Sequence, residues 1–310
     1  MLAITKDMDG PVPLSAAEVA EFRQRGFTYV TDICGQSELD VLRSALERLF
    51  REQTGSTEGA FYDMVEHDRA DRPRLPTIVS PSNYSPELRS LPCLKRATAI
   101  ARRLLGEEAV LTFEHSILKP ARYGAPTPWH QDEAYRLEPD FLYDQVTFWI
   151  PLDDASVESG CLHYVPRSNL GEVLPHRSHN NNSRTYALEC AVPIPHGSGT
   201  PVPVKAGDCT LHAGRTLHYA GPNQTDGPRY AYILEFEVPP RPLRETREFS
   251  WHRERRPPNR VARGRWLRRG GVVIEVVRRL RGGTMIVPAR LGFEWRRCVR
   301  AFRRYFLSGA

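Results

Sequence analysis

At 310 residues the chain can bury one sizeable core, or one core with an appendage. Its net charge of +6 divides unevenly: residues 251 to 310 hold 17 Arg, no Lys and three Glu, a surplus of 14, so the preceding 250 residues carry −8. Whole-chain basicity therefore says nothing about an active site, and the scattered cysteines at 34, 93, 161, 190, 209 and 298, with no Cys-x-x-Cys pair, exclude a zinc ribbon and a disulfide framework. No apolar run has the length needed to cross a bilayer. The stretch MLAITKDMDGPVPLS lacks the basic end and apolar run of a signal peptide. The expectation is a soluble, cytoplasmic protein.

Ser15 with Glu18 makes a capping-box pattern ahead of Val19 and Phe22, and predicts a helix over about 15 to 25 that ends at Gly26. FTYVTDI then predicts a short strand. Ser37 is the expected cap of a second helix, in which Leu39, Leu42, Leu46, Leu49 and Phe50 recur at helical spacing. Prolines at 73, 76, 81, 86 and 92 mark a loop-rich stretch, and a third helix is expected from about 92 to 105, stopping at Gly106.

From Ala109 to about Val238 the texture changes. AVLTFEHSILK, QVTFWIPLDD, CLHYVP, YALECAVPIP, DCTLHAG and RYAYILEFEV alternate with Pro, Gly, Asn and Asp turns. Short strands at this spacing predict an all-β sandwich or barrel, and helices preceding strands speak against a doubly wound parallel sheet. Beyond Arg241, WHRERRPPNRVARGRWLRRGG reads as irregular, while VVIEVVRRLRGG and FEWRRCVRAFRRYFL read as two basic amphipathic helices. In the second, Trp295, Cys298, Val299, Phe302, Tyr305 and Phe306 share one face.

The chemistry centres on PTPWHQDEAY, residues 126 to 135, where His130 and Asp132 stand two apart. At a strand end such residues project to one side and supply two ligands to a divalent metal; a third would complete a two-His-one-carboxylate triad with open positions. Alone, the pair reads equally as a polar accident. Further on, GDCTLHAGRTLHYAGPNQTDGPRYAYILEFEV carries His218, Asn223 and, eleven residues after His218, Arg229.

This ordering resembles the phytanoyl-CoA dioxygenase (PhyH-like) family of Fe(II)/2-oxoglutarate-dependent oxygenases over most of residues 15 to 240, but not the tail. The resemblance implies a mainly β fold with flanking α, a double-stranded β-helix (jelly-roll, cupin-like) core buttressed by the amino-terminal helices. It implies that His130, Asp132 and His218 bind Fe(II), that Arg229 grips the far carboxylate of 2-oxoglutarate, and that O2 is the co-substrate. Arg suits that task because its planar fork matches a carboxylate and keeps its charge. Lys119, eleven residues before His130, matches a lysine that some members use as a further 2-oxoglutarate contact.

Two departures stand out. Tyr219 and Ala220 replace the family's Gly-Ser after the distal histidine, which leaves Thr216 as the candidate partner for Arg229. The family's Gly-Ser-His is replaced by Arg167-Ser168-Asn169, which bears on substrate contacts. His212 competes with His218 for the distal role, but its seventeen-residue separation from Arg229 fits poorly, so it is expected in the core or behind the ligands. His115, His163, His176, His179 and His196 have no comparable context. Trp129, Tyr135 and Trp149 are candidate pocket walls, alongside the alternative of plain core packing. Residues from about 167 to 200 are the expected lid.

A carboxylate at position 132 implies hydroxylation, or another oxidation such as desaturation or ring closure, in place of halogenation. The expected enzyme releases succinate and CO2 while oxidising a small-molecule metabolite. Residues 1–245 form its domain, with the jelly-roll at about 109–240, and 246–310 form an arginine-rich extension. The rivals are a metal- or ligand-binding protein of the same fold without oxygenase activity, and a binding protein acting through its basic tail. That tail suits contact with an anionic membrane or partner, or loose docking on the acidic body; no pattern specific for nucleic acid appears.

Overall fold

The computed structural model describes residues 14–66, 71–195 and 197–280. Helix α1 (Ala16–Arg25) opens on the expected capping box. Ser15 Oγ accepts the Glu18 N–H at 3.2 Å, and the Glu18 carboxylate accepts the Ser15 N–H at 2.6 Å. Gly26 ends it at φ +88°, a left-handed conformation that favours glycine. Strand β1 (Phe27–Val30) follows, then α2 (Gln36–Arg51).

Gly35, not Ser37, is the cap of α2: the Glu38 carboxylate folds back to accept the Gly35 N–H at 2.9 Å. The same buried carboxylate accepts the Cys93 N–H at 2.5 Å and pairs with Arg96 in α3 (Pro92–Leu105). One acid thus serves the positive ends of two helices. Sequence pattern favoured the serine because a carboxylate shared between two elements has no local signature.

The remaining strands are β2 (Phe61–Asp63), β3 (Pro76–Val79), β4 (Val110–Lys119), β5 (Thr127–His130), β6 (Phe141–Leu142), β7 (Gln145–Pro151) and β8 (Leu162–Tyr164). After them come β9 (His176–Ser178), β10 (Leu188–Cys190), β11 (Thr200–Val202), β12 (Cys209–Ala213), β13 (His218–Ala220), β14 (Arg229–Glu237) and β15 (Arg241–Pro242). Seven of them form an antiparallel sheet in the order β1-β12-β7-β14-β4-β3-β2, and four form a second in the order β11-β8-β13-β5. These are the two sheets of a jelly-roll, with β9-β10 and β6-β15 as accessory ribbons.

Strand alternation sets which side chains reach the interior. On β14, Tyr232, Leu234 and Phe236 face outward with Phe148 and Ile150 of β7, against Leu42, Leu46 and Leu49 of α2 and Ile100 and Leu104 of α3. Each such side chain contributes about 1.5–3 kcal/mol of burial. The odd-numbered neighbours Ala231 and Ile233 face inward with Ile117 of β4 and Trp149 of β7, packing with Leu162 and Tyr164 of the small sheet. The helices therefore stiffen the large sheet from behind, and its inner face is left for chemistry.

One tight approach is testable. Gly160 has φ +85°, and a Cβ there would stand 2.3 Å from the Gly221 carbonyl oxygen. Gly160→Ala is expected to cost at least about 1–2 kcal/mol, from the left-handed backbone alone. An unchanged denaturation midpoint in urea would contradict this.

The extension is more ordered than its sequence implied. Residues 258–266 form α4 (Pro258–Trp266), started by proline in its first turn, and α5 (Val272–Leu280) follows after Gly270 at φ +96°. The residue that α4 buries is Arg263, so no apolar spacing marks the helix, which is why 251–271 reads as irregular. Arg263 pairs with Glu275 at 2.8 Å inside the extension, and Arg278 with Glu58 of the body at 2.8 Å. The Trp251 indole N–H donates to Ala134 O at 2.9 Å. The second expected amphipathic helix, with Trp295 and Phe302, lies outside the described residues. No described helix is long and apolar enough to cross a membrane.

Candidate active site

The two sheets enclose a cavity of about 130 Å3. Strands β5 and β13 pair antiparallel with His218 opposite His130, which brings the two rings to 4.1 Å between centroids. The register then slips, Ala220 facing Thr127, so that Thr127 and His130 both line the cavity although they are not two apart. Each imidazole is aimed from behind. His130 Nδ1 donates to Pro128 O at 2.7 Å, and His218 Nδ1 donates to Thr216 O at 2.8 Å. That fixes the tautomer and leaves both Nε2 atoms as lone-pair donors.

Asp132 completes the set from a different element than expected. Strand β5 stops at His130, and a single 3-10 turn, Asp132–Tyr135, swings the carboxylate inward. Its Oδ1 lies 3.5 Å from His130 Nε2 and 3.6 Å from His218 Nε2. The three ligand-type atoms all fall within 4.8 Å of one another. Gln131 points away from the cavity yet is fully buried, donating to Arg215 O at 2.7 Å and accepting the Leu174 N–H at 2.7 Å. Those bonds pin the turn that presents Asp132.

The other carboxylate oxygen is also held. Asp132 Oδ2 accepts the Thr147 hydroxyl at 2.8 Å and the His212 Nε2–H at 3.1 Å. His212 in turn has Nδ1 3.1 Å from the Tyr164 hydroxyl. His212 therefore stands behind Asp132 and is not one of the three convergent groups. Burial works to raise the Asp132 carboxyl, but the surrounding histidines, His218 first among them, hold it well below the usual carboxylate range. Burial, together with His130 and His212, pushes the His218 ring well below its ordinary value. Two imidazoles that present Nε2 and one carboxylate, with open cavity beyond, fit a divalent first-row metal. Removing a buttress should loosen that grip: His212→Ala or Thr147→Val is expected to weaken Fe(II) affinity roughly 10–100-fold. An anaerobic Fe(II) titration checks this, and unchanged affinity in both variants would contradict the buttressing role.

Arg229 opens β14 on the inner face of the same cavity, 2% exposed. Its guanidinium carbon sits 4.9 Å from the Trp149 ring, and its Nε and Nη1 have no hydrogen-bond partner among the described residues. Burial draws it down to about 10, which leaves it cationic at neutral pH. A buried cation with unused donors, sharing a cavity with three convergent ligand-type atoms, fits a dianion that chelates at one end and ends in a carboxylate.

The phytanoyl-CoA dioxygenase (PhyH) family model matches residues 22–231. The chain belongs to this family of Fe(II)/2-oxoglutarate-dependent oxygenases. A probable alpha-ketoglutarate-dependent hypophosphite dioxygenase of Stutzerimonas stutzeri is 26% identical over 216 residues, covering 68% of this chain and 74% of that protein. EvdO2 from Micromonospora carbonacea var. aurantiaca shares 40% identity and a TM-score of 0.68 over 79% of this chain and 99% of its own. Its complex with 2-oxoglutarate superposes with a TM-score of 0.67 at 38% identity. SnoK, a non-heme alpha ketoglutarate dependent carbocyclase from nogalamycin biosynthesis, shares 25% identity and a TM-score of 0.57, over 76% of this chain and 91% of its own.

Within this PhyH-family cavity the other sequence candidates separate. Tyr135 and Trp149 line it. Trp129 lies outside it, stacked on Tyr219 at 5.2 Å between centroids. Lys119 is fully buried and directly opposite Arg229 across the β4–β14 pair, but its amine is bonded to Ala125 O and, at 3.5 Å, to Ala220 O. Burial, with Arg229 adding to it, pushes that amine well below the ordinary lysine range. Thr216 is not brought to Arg229: its hydroxyl donates to Gly26 O at 2.7 Å, tying the loop before β13 to the end of α1.

Several lining residues escaped the sequence reading, among them Tyr62, His115, Tyr186 and Glu235. His115 lies in the wall, its Nδ1 without a hydrogen-bond partner among the described residues, and burial lowers it to about 4. Burial raises Glu235 to about 8 against the opposing pull of Arg136, which it shares with Glu237. For His115 and Glu235 the alternation of β4 and β14 was the available signal, since each shares a face with a candidate two or more pairs away. Tyr62 and Tyr186 arrive from loops and an edge strand, which carry no such signal.

Proposed function

We propose that this protein is a non-haem Fe(II)- and 2-oxoglutarate-dependent dioxygenase that oxidises a small-molecule metabolite with release of succinate and CO2. One observation carries the reading: Arg229, buried with unbonded donors, opens into the cavity on which His130 Nε2, His218 Nε2 and Asp132 Oδ1 converge. His130, Asp132 and His218 would hold the iron, and Arg229 would hold the far carboxylate of 2-oxoglutarate. Iron with bound 2-oxoglutarate supplies the oxidising power, consuming O2 and the co-substrate to oxidise a C–H bond.

The chain's own contribution is placement. Pro128 O and Thr216 O orient the imidazoles, Thr147 and His212 hold Asp132, and Trp149 stacks on the guanidinium. Tyr135, Tyr186 and Tyr62 wall the remaining space and limit water. Since Asp132 keeps its carboxylate, hydroxylation, desaturation or ring closure is the outcome expected, and the last accords with the resemblance to a carbocyclase. Residues 1–245 carry this chemistry, with the jelly-roll core at about 109–240.

The test is a panel of candidate metabolites assayed for stimulated succinate release, with product masses separating gain of one oxygen from loss of two hydrogens. A strong stimulation that disappears when Fe(II) is chelated is expected. Metabolite oxidation that continues without iron or 2-oxoglutarate would overturn the proposal.

A further inference from the structure

The arginine-rich extension lies beyond the residues matched by the family model, and the chemistry above gives it no task. Among the described residues three arginines are more than nine-tenths buried: Arg229, Arg255 and Arg263. Arg263 has Glu275 as counter-ion at 2.8 Å. Neither Arg229 nor Arg255 has a carboxylate within ion-pair distance among the described residues, and each keeps a buried Nε with no hydrogen-bond partner. A buried cation without a counter-ion is a standing destabilisation that a bound anion relieves. For Arg229 that anion is the co-substrate's carboxylate. Arg255 has the same deficit.

Arg255 is not itself among the residues that line the cavity, but it packs on two that are, which points to the molecule that would supply the second anion. The Arg255 guanidinium carbon lies 5.7 Å from the Tyr135 ring and 5.6 Å from the Tyr186 ring. Those two rings line the cavity and stack on each other at 5.8 Å between centroids. Tyr135 also meets the His130 ring edge-on at 5.8 Å. A continuous line of contacts therefore runs from a metal-ligand histidine through two cavity-wall tyrosines to the extension.

Arg260 adds a second guanidinium 5.6 Å from the Tyr186 ring, again with no carboxylate partner among the described residues. The Tyr135 hydroxyl accepts the Leu188 N–H at 2.8 Å, so its own proton is free to donate. Of the Arg255 nitrogens, Nη2 donates to Tyr186 O and Nη1 lies 3.5 Å from His252 Nδ1. Burial, then Arg260, draws Arg255 down to about 10, so it too stays charged at neutral pH. The balance of charge at this wall is positive and unmet.

We propose that Arg255, with Arg260 beside it, is the substrate-side anion anchor, so that the metabolite oxidised here carries a carboxylate or a phosphorus oxyanion received at the Tyr135–Tyr186 wall. The proposal rests on the oxygenase reading above, and makes the extension part of the active site. It assigns the two uncompensated guanidiniums to two different anions: Arg229 to the co-substrate, Arg255 to the substrate.

The experiment uses full-length protein loaded anaerobically with Fe(II) and 2-oxoglutarate, titrated in turn with acetate, inorganic phosphate and methylphosphonate. Binding is read from the change in the visible absorption band and from the rise in Tm. At least one anion is expected to bind saturably to the wild type and at least about tenfold more weakly to Arg255→Gln, with Arg255→Lys in between. The contrast of acetate with the phosphorus oxyanions tells which head group is preferred. Arg260→Gln, at a half-buried position that folding tolerates more readily, is expected to weaken the same anion about two- to fivefold.

Saturable binding that is equally strong in Arg255→Gln, or no saturable binding of any of the three anions to the wild type, would overturn the proposal. A wild-type protein that never develops the absorption band would count against the oxygenase reading itself, so the two failures are distinguishable.

Discussion

Asp132→Ala is expected to abolish Fe(II)-dependent consumption of 2-oxoglutarate and to weaken Fe(II) binding by more than the roughly 10–100-fold that loss of an outer hydrogen-bond partner costs. The substitution removes the one anionic donor of the set, whose Oδ1 faces both Nε2 atoms. It also leaves the Thr147 hydroxyl and the His212 Nε2–H without their acceptor. Asp132→Asn keeps the shape and removes the charge, so a comparable loss there would assign the effect to charge and not to packing. Succinate formation by either variant at the wild-type rate, in metal-controlled buffer, would contradict the ligand assignment.

The second large effect belongs to Arg229. Arg229→Gln should raise the 2-oxoglutarate concentration needed for half-saturation by roughly a hundredfold, the scale expected when a buried charge pair loses one partner (about 2–5 kcal/mol). Turnover at saturating 2-oxoglutarate should fall much less, because the lost contact grips the carboxylate far from the reacting end. Arg229→Lys should recover part of the affinity, as a point charge without the planar fork. If Gln at this position left half-saturation unchanged while lowering turnover alone, Arg229 would be a wall residue stacked on Trp149 and not an anchor.

Much of this was legible in the sequence, and the reasons are local. The capping box at Ser15, the leucine spacing of α2 and the short alternating strands after Ala109 each depend on neighbours within a few residues. The eleven-residue step from His218 to Arg229 was readable through its resemblance to the family's pattern, and in the fold it spans one short strand, one loop and the head of the next strand. The His130–Asp132 pair was legible as a pair, but its geometry was not. The sequence suggested two positions on one strand face, whereas a 3-10 turn, pinned by the buried Gln131, does the work.

What escaped the sequence arises from contacts between distant segments. His212 reaches Asp132 across 80 positions, and Thr216 is drawn to Gly26 across 190. No periodicity or motif marks such partners. Arg255 is the sharpest case. In the sequence it is one arginine among many, in a stretch that reads as irregular within a tail suited to anionic contacts or to loose docking on the acidic body. In the fold it is buried against two cavity-wall tyrosines, with no acid among the described residues to balance it. Composition could show that the tail is basic and the body acidic, but not which of its arginines would be left without a partner.

The most direct measurement for the central assignment is the visible spectrum of the anaerobic wild-type protein with one equivalent of Fe(II) and an excess of 2-oxoglutarate. The expected result is a weak charge-transfer band that requires protein, metal and 2-oxoglutarate together and is absent from Asp132→Ala. A featureless spectrum from folded wild-type protein, with no succinate formed when air is admitted, would contradict an iron site built from His130, Asp132 and His218.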